Sequence, residues 1–348
     1  IILHDMLEKQ HEPIAFELAQ SVKTHNHKIL YLCNSDKEAR LIKNELKLFL
    51  DDSEIGYYPE REILPYDRFS TADSIIQKRI KLLNSDKSNI KLIITSCINL
   101  FEKLPSKKFF VARKSFKTND LLTIKDLTTS LDSLNYERTD KVNAINQYAV
   151  RGGVVDFYSG FHLNPVRVDF FGDQIDEIRE FDTLTQNMTN KISEFQLFSG
   201  SEVSLDDESI GKFKKAWRNY FQNHDERHCE IFQCLALGKY PEGYEIYNPL
   251  IQLGDSNLMD YFSGFKLIKS HQIDQILTSH QAFVEERYLE ESIDSSRPIL
   301  KPEDYIFKIE DLQAYLKSAD QLSFSDSNLA IDYSKEKDIQ LKELIEKQ

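Results

Sequence analysis

The residues of this chain with the potential for chemistry fall into four groups, and three of them fail on spacing. Holding a nucleoside triphosphate takes a glycine-rich turn whose backbone N–H groups cradle phosphate, followed by Lys and Ser/Thr. The first glycine of the 348 residues is Gly56, beyond the first expected helix and strand. The Gly-Lys pairs Gly211-Lys212 and Gly238-Lys239 are followed by Phe213 and Tyr240, and Asp206 and Gln233 stand five residues before them in place of glycine. Zinc is suggested by His224, His228, Cys229 and Cys234, which lie within eleven residues. On a helix His224 and His228 would share a face, but Cys229 and Cys234 would stand about 500° apart around the axis. The carboxylates Asp173, Asp176 and Glu177 belong to a turn and strand edge and read as solvated charge, and no Gly-x-Ser-x-Gly elbow accompanies the serines. No catalytic, cofactor-binding or metal site is therefore expected. The fourth group is Arg151, Arg167 and Phe171, an aromatic between arginines, which is the composition of a protein–protein hot spot.

Those three residues depend on a hairpin. Gly172-Asp173 is a two-residue turn whose first position tolerates positive φ, so Val166–Phe171 and Gln174–Phe181 should pair antiparallel. Period two sends Val166, Val168 and Phe170 to the core and Arg167, Asp169 and Phe171 outward. Ile175 and Ile178 cannot both point inward without a bulge near Asp176-Glu177. Phe171 and Arg167 would then lie side by side on the outer face, with Arg151 entering from the Gly152-Gly153 bend. The competing reading packs Phe171 under a loop and pairs Arg167 with Asp169 or Asp176. As a surface anchor, Arg167 should be replaceable by Ala with little change in melting temperature.

Around this hairpin the chain changes style twice. Helical spacing over Pro13–Ser21, Asp36–Leu50 and Ser70–Asn84 alternates with the compact apolar runs Lys28–Cys33 and Ile90–Cys97, which argues for a parallel α/β layer. The stripe of Ser70–Asn84 includes Arg79 among Ile75, Ile76, Ile80 and Leu83. Leu121–Tyr136 reads as one helix and is followed by alternating strands and turns. Helical spacing returns at Phe213, Trp217, Tyr220 and Phe221, then a strand at Phe265–Ser270 and a long helix over Gln272–Ser292. A chain that leaves one architecture and comes back to it suggests a discontinuous domain wrapped around an insert.

Composition narrows the class of partner. The formal net charge is −13 and the pI about 5.3, so the surface as a whole should repel phosphate backbones. Four cysteines without framework spacing fit a reducing compartment. No apolar run is long enough to span a membrane, and the chain begins IILHDMLEKQ, with no signal pattern. A cytoplasmic fragment of something longer is expected.

The stretches AVRGGVVDFY (Ala149–Tyr158) and VRVDFFGDQIDEIREFD (Val166–Asp182) resemble the RGG-D-hydrophobic…R-hydrophobic-D/E-FFGD-ID…FD signature shared by the bacterial excision-repair protein UvrB and the transcription-repair coupling factors. Ile63–Leu83 is similar to the LPYD-x-FSP…I-x-x-RL segment of the coupling factors. Ala216–Leu250 resembles their W-R-x-x-F and P-x-G-x-E-x-Y-x-P-L patterns, and Arg297–Phe307 also fits. The resemblance covers residues 1 to 317.

It implies a degenerate helicase-like (RecA/UvrB-type) parallel-sheet α/β domain in two segments, 1–112 and 199–317, that has lost its nucleotide site. A small α+β module, 113–198, interrupts it, and 318–348 form a linker. It further implies a non-catalytic docking region that recruits UvrA to stalled RNA polymerase through Arg151, Arg167 and Phe171. Contacts to C-terminal domains would mask that face, and an ATP-dependent DNA translocase in those other domains would engage DNA and polymerase. Direct damage recognition of the UvrB kind is the rival, but Asp51–Ser70 is too short for its aromatic hairpin; an unidentified enzyme domain is another. The sequence departs from the family at Asn146-Gln147-Tyr148, where Gly-Glu-Phe/Tyr is usual, which puts the approach to Arg151 in question. Phe157-Tyr158-Ser159 likewise replaces a Phe-Pro-containing run.

Overall fold

The computed structural model describes residues 14–25, 27–107, 114–160, 162, 164–252, 256–270 and 272–319. The expected linker from residue 320 onward lies outside the described residues, as do residues 1–13. Helix α1 (Ile14–His25) leads into β1 (Ile29–Cys33), α2 (Asp36–Leu46), β2 (Ile55–Tyr58), α3 (Asp73–Asn84) and β3 (Leu92–Ser96). β1 and β3 are buried at every position, as their unalternating apolar runs require when a parallel sheet is covered on both faces. In β1, Ile29, Tyr31 and Cys33 face α1 and α2, whereas Leu30 and Leu32 face the larger core on the other side. β2 is an edge strand that periodicity did not reveal. It is four residues long, and a Cβ on its Gly56 would sit 2.9 Å from Leu82 Cδ1, so the glycine marks close packing against α3.

The next stretch builds a separate sheet. β4 (Lys114–Lys117) precedes α4 (Ile124–Ser133), β5 (Glu137–Arg138), β6 (Gln147–Arg151), β7 (Val154–Phe157), β8 (Val166–Phe171), β9 (Gln174–Phe181), β10 (Met188–Ile192) and β11 (Glu194–Leu197). β10-β9-β8-β7-β6-β5 form one sheet, antiparallel except for the β5–β6 pair, and β11 pairs with β4. Leu127 and Leu131 of α4 share one cluster with Tyr148, Val155, Phe157, Val166, Val168, Ile175 and Ile178 of the sheet. The helix is shorter than its apolar spacing suggested. It starts at Ile124 because Thr123 Oγ1 accepts the Asp126 N–H at 3.0 Å, which leaves Leu121 outside it.

The chain then returns through α5 (Asp207–Tyr220), α6 (Glu230–Ala236), the single turns α7 (Asn248–Ile251) and α8 (Leu258–Tyr261), β12 (Lys266–Lys269), α9 (Ile273–Glu291), α10 (Pro302–Tyr305) and α11 (Ile309–Ser318). β12 pairs parallel with β1, Ile29 opposite Lys266, which gives the sheet order β12-β1-β3-β2. A strand from late in the chain thus closes a sheet begun near its start. His224 and His228 do not share a helix: His228 ends a 3₁₀ turn and Cys229 precedes α6. Among the described residues no helix is long and apolar enough to cross a membrane.

Two buried polar sets lock the return. Arg79, on the apolar stripe of α3, is wholly enclosed. Its Nε donates to Glu202 at 2.8 Å, its Nη1 to the Pro59 carbonyl at 2.7 Å, and its Nη2 to Glu102, while its guanidinium lies 4.2 Å over the Tyr58 ring. Arg61 also pairs with Glu102 and Glu202. Two residues before Arg79 and on the other side of α3, Gln77 Nε2 donates to Asn146 Oδ1 at 2.9 Å and to the Ser199 carbonyl at 3.2 Å, and a Cβ on Gly160 would sit 2.6 Å from Gln77 Cβ. Replacing Arg79 by Ala would leave the buried Glu202 and the partly buried Glu102 to Arg61 alone, and should cost about 3–5 kcal/mol of stability in urea denaturation. His280 of α9 stacks on Phe101 at 5.0 Å, and burial pushes its pKa down to about 4. Its imidazole binds a proton more readily when unfolded, so its contribution is lost as pH falls from roughly 6.5. Urea midpoints of His280→Phe should accordingly decline less than those of the wild type between pH 7 and 4.

Candidate partner-docking surface

The hairpin of β8 and β9 turns at Gly172, whose φ is +62°. Asp169 lies opposite Glu177 but Phe170 lies opposite Ile175, so Asp176 is the extra residue of a bulge. The bulge lets Ile175 and Ile178 both reach the core, as alternation required. The pairings then fix which residues share the outer face. Ala149, Asp156, Arg167 and Arg179 lie in one row across β6 to β9; Arg151, Val154, Asp169 and Glu177 lie in the next row on that face. Phe171 and Gln174 follow in a third. Arg151, Arg167 and Phe171 are therefore on one surface. Arg167 and Phe171 are not side by side, however, because Asp169 stands between them and four residues of strand separate them by about 13 Å.

The centre of this surface is a residue that sequence reasoning missed. Asp156 is only 1% exposed, and both its oxygens are used. Arg167 Nε donates to Oδ1 at 2.6 Å and its Nη2 to Oδ2 at 2.8 Å, while Arg151 Nη2 donates to Oδ2 at 2.8 Å. The Arg167 guanidinium also lies 4.8 Å from the Phe181 ring centre. Hydrogen bonding to Asp156 holds the Arg167 pKa above its ordinary value. Neither of the partners considered for Arg167, Asp169 or Asp176, takes it: Asp169 pairs with Arg179, which also lies 3.2 Å from Glu177, and Lys191 sits 2.9 Å from Glu177. An Asp flanked by Val155 and Phe157 in a short strand was the available signal. Its partner could not be read because the connection before β8 hides the register.

Exposure separates the three residues. The Phe171 ring is 83% exposed and covered by no loop, and the Arg151 side chain is 52% exposed. The Arg167 side chain is only 17% exposed, so the picture of two open guanidinium groups holds for Arg151 alone. The approach to Arg151 is ordered where the sequence departs from the family pattern. Asn146, where glycine is usual, has φ +63°, a conformation that asparagine tolerates better than most residues. Its Nδ2 donates to the Gly200 carbonyl at 3.2 Å.

The other place where chemistry could reside is the carboxyl end of the parallel sheet, where open α/β folds bind ligands. Here the turn from β1 into α2 is filled by its own acids. Glu38 accepts the Asn34 N–H at 2.8 Å, Glu60 accepts the Asp36 N–H at 3.1 Å, and Asp36 accepts the Glu60 N–H at 3.0 Å and the Tyr57 hydroxyl at 2.7 Å. Burial raises the Glu60 pKa. Amides that would cradle a phosphate are engaged, and the charge beside them is negative.

Because Asp156 is buried, Arg167→Ala removes two charge-assisted bonds and should lower stability by about 1–3 kcal/mol, in contrast to the unchanged melting temperature expected of a surface anchor. Phe171→Ala should leave thermal denaturation unmoved, and the two scans side by side check the difference.

Residues 115–202 match the family described as the UvrB interaction domain. The chain is 28% identical over 313 residues to the transcription-repair-coupling factor of Haemophilus influenzae, covering 87% of this chain and 27% of that protein. It is 26% identical over 308 residues to that of Escherichia coli, 86% and 26% of the two lengths. To that of Rickettsia conorii it is 31% identical over 243 residues, 68% and 21%. The chain thus spans about a quarter of the length of the relatives it matches. With an α/β framework, a UvrB interaction domain and similarity over most of its length, the chain is related to the transcription-repair-coupling factors and corresponds to their N-terminal, UvrB-homologous region.

Proposed function

We propose that this chain is a non-catalytic docking region that recruits UvrA, so that excision repair follows a stalled RNA polymerase. The observation that carries the reading is the outer face of the β6–β9 sheet. Phe171 projects into solvent from a strand fixed on both sides, and Arg151 lies on the same face, two strands over and one row away, held by an ion ladder. On the outer face of β6 to β9, Arg151, Arg167 and Arg179 stand against Asp156, Asp169 and Glu177, an even balance on a molecule whose net charge is −13. A partner offering an apolar recess and a carboxylate is complementary to it. The acids at the start of α2 disfavour a phosphate at that turn, which is consistent with a docking role. In this reading a parallel-sheet domain of residues 1–112 and 199–317 carries a recruiting module of residues 113–198. DNA and polymerase are engaged by other domains, which also mask the recruiting face, and the setting is the cytoplasm.

Titration of the chain with purified UvrA tests this. Phe171→Ala and Arg151→Ala should each weaken binding by about 2 kcal/mol or more, roughly thirtyfold, if they are anchors. Equal binding by wild type and both variants, or ATP turnover by the chain alone, would overturn the proposal.

A further inference from the structure

The docking face has a second apolar point that no motif marks. Leu121 forms an isolated antiparallel bridge with Gln174, and Gln174 lies opposite Phe171 in the β8–β9 hairpin. Residues directly opposite in an antiparallel pair project to the same face. Leu121, Gln174 and Phe171 therefore form one row, with two large apolar side chains flanking an amide. Leu121 is 86% exposed, about as open as Phe171.

Single exposed leucines are ordinary on protein surfaces and carry no meaning alone. This one differs in being held rather than loose. The Leu122 N–H donates to the Asp173 carbonyl at 2.9 Å and the Ile175 N–H to the Asp120 carbonyl at 3.0 Å. The Asn119 N–H donates to the Ile175 carbonyl at 2.8 Å, and Gln174 Nε2 donates to the Asn119 carbonyl at 2.9 Å. Residues 119–122 thus act as a short further strand beside β9, on the side away from β8. Binding through a side chain whose backbone is already fixed forfeits little conformational freedom.

We infer that Leu121 is a second apolar anchor of the docking face, gripping the same UvrA surface as Phe171 across Gln174. The inference rests on the docking reading above and extends its footprint from Arg151 on β6, across four neighbouring strands, to residue 121. It commits the partner to an apolar recess wide enough for a phenyl and an isobutyl group on either side of one amide, with the carboxylate that meets Arg151 at one end.

The test is titration of the full chain with purified UvrA, using wild type, Phe171→Ala, Leu121→Asp, the double variant and Leu184→Asp. Leu184 is an equally exposed leucine of the turn after β9, at the far end of that strand. Leu121→Asp should weaken binding about tenfold or more, in the range of interface anchors, with an unchanged melting temperature. Leu184→Asp should bind as the wild type does. The double variant should lose less than the sum of the single losses, since both anchors serve one recess. If Leu121→Asp lowers the melting temperature, Leu121→Gln, which removes the apolar group without adding charge, takes its place with the same expectation. Wild-type affinity in the Leu121 variants together with loss in Phe171→Ala would sink this inference and leave the docking reading standing. Failure of the wild type itself to bind would remove both.

Discussion

A guanidinium enclosed by protein must find carboxylates, and in this chain the search brings distant segments together. Arg79 arrives on α3, Glu102 from just beyond β3, and Glu202 from the stretch that follows β11. Taken singly, each of these charges would be expensive to remove from water; placed together they satisfy one another and the Pro59 carbonyl. The arrangement specifies where the chain must re-enter after building its second sheet. Gln77, two residues earlier on α3, specifies how that sheet is held, since its amide reaches both the start of β6 and the residues after β11. Ordinary apolar packing around these points could tolerate a slipped register. Paired buried charges cannot.

The same logic recurs at smaller scale on the docking face. Asp156 is shared by two arginines, and the sharing turns long flexible side chains into fixed ones. Arg167 gives up its exposure and becomes the strut that positions Arg151. The difference is physical: the residue with two bonds to the buried acid and a ring beside it is largely buried, while the residue with one bond keeps a half-exposed guanidinium.

Much of this was legible in the sequence because its signals are local. Unalternating runs marked β1 and β3, strict alternation marked β8, and the misfit of Ile178 with Ile175 foretold the bulge at Asp176. What escaped was either short or non-local. β2 is four residues with a glycine inside, and Leu121 was absorbed into a helix because the Thr123 cap was outweighed by apolar spacing. The Asp156–Arg167 pair depends on how β7 and β8 slide past each other, a register that no single strand records. Asn146 shows the opposite case: it stands where the resemblance puts a glycine, and it takes a positive φ that glycine adopts freely.

The turn between β1 and α2 engages its peptide donors within the chain. Its peptide N–H groups are not idle; Asn34 and Asp36 donate to glutamates, and Asp36 is itself tied to Tyr57 and to the backbone of Glu60. Introducing a glycine or a lysine there would meet anionic side chains already seated where an anion would have to go. Building a phosphate cradle there would take concerted replacement of three acids and a loop. An anion arriving at this end of the sheet would meet carboxylates and find the nearby peptide donors already taken.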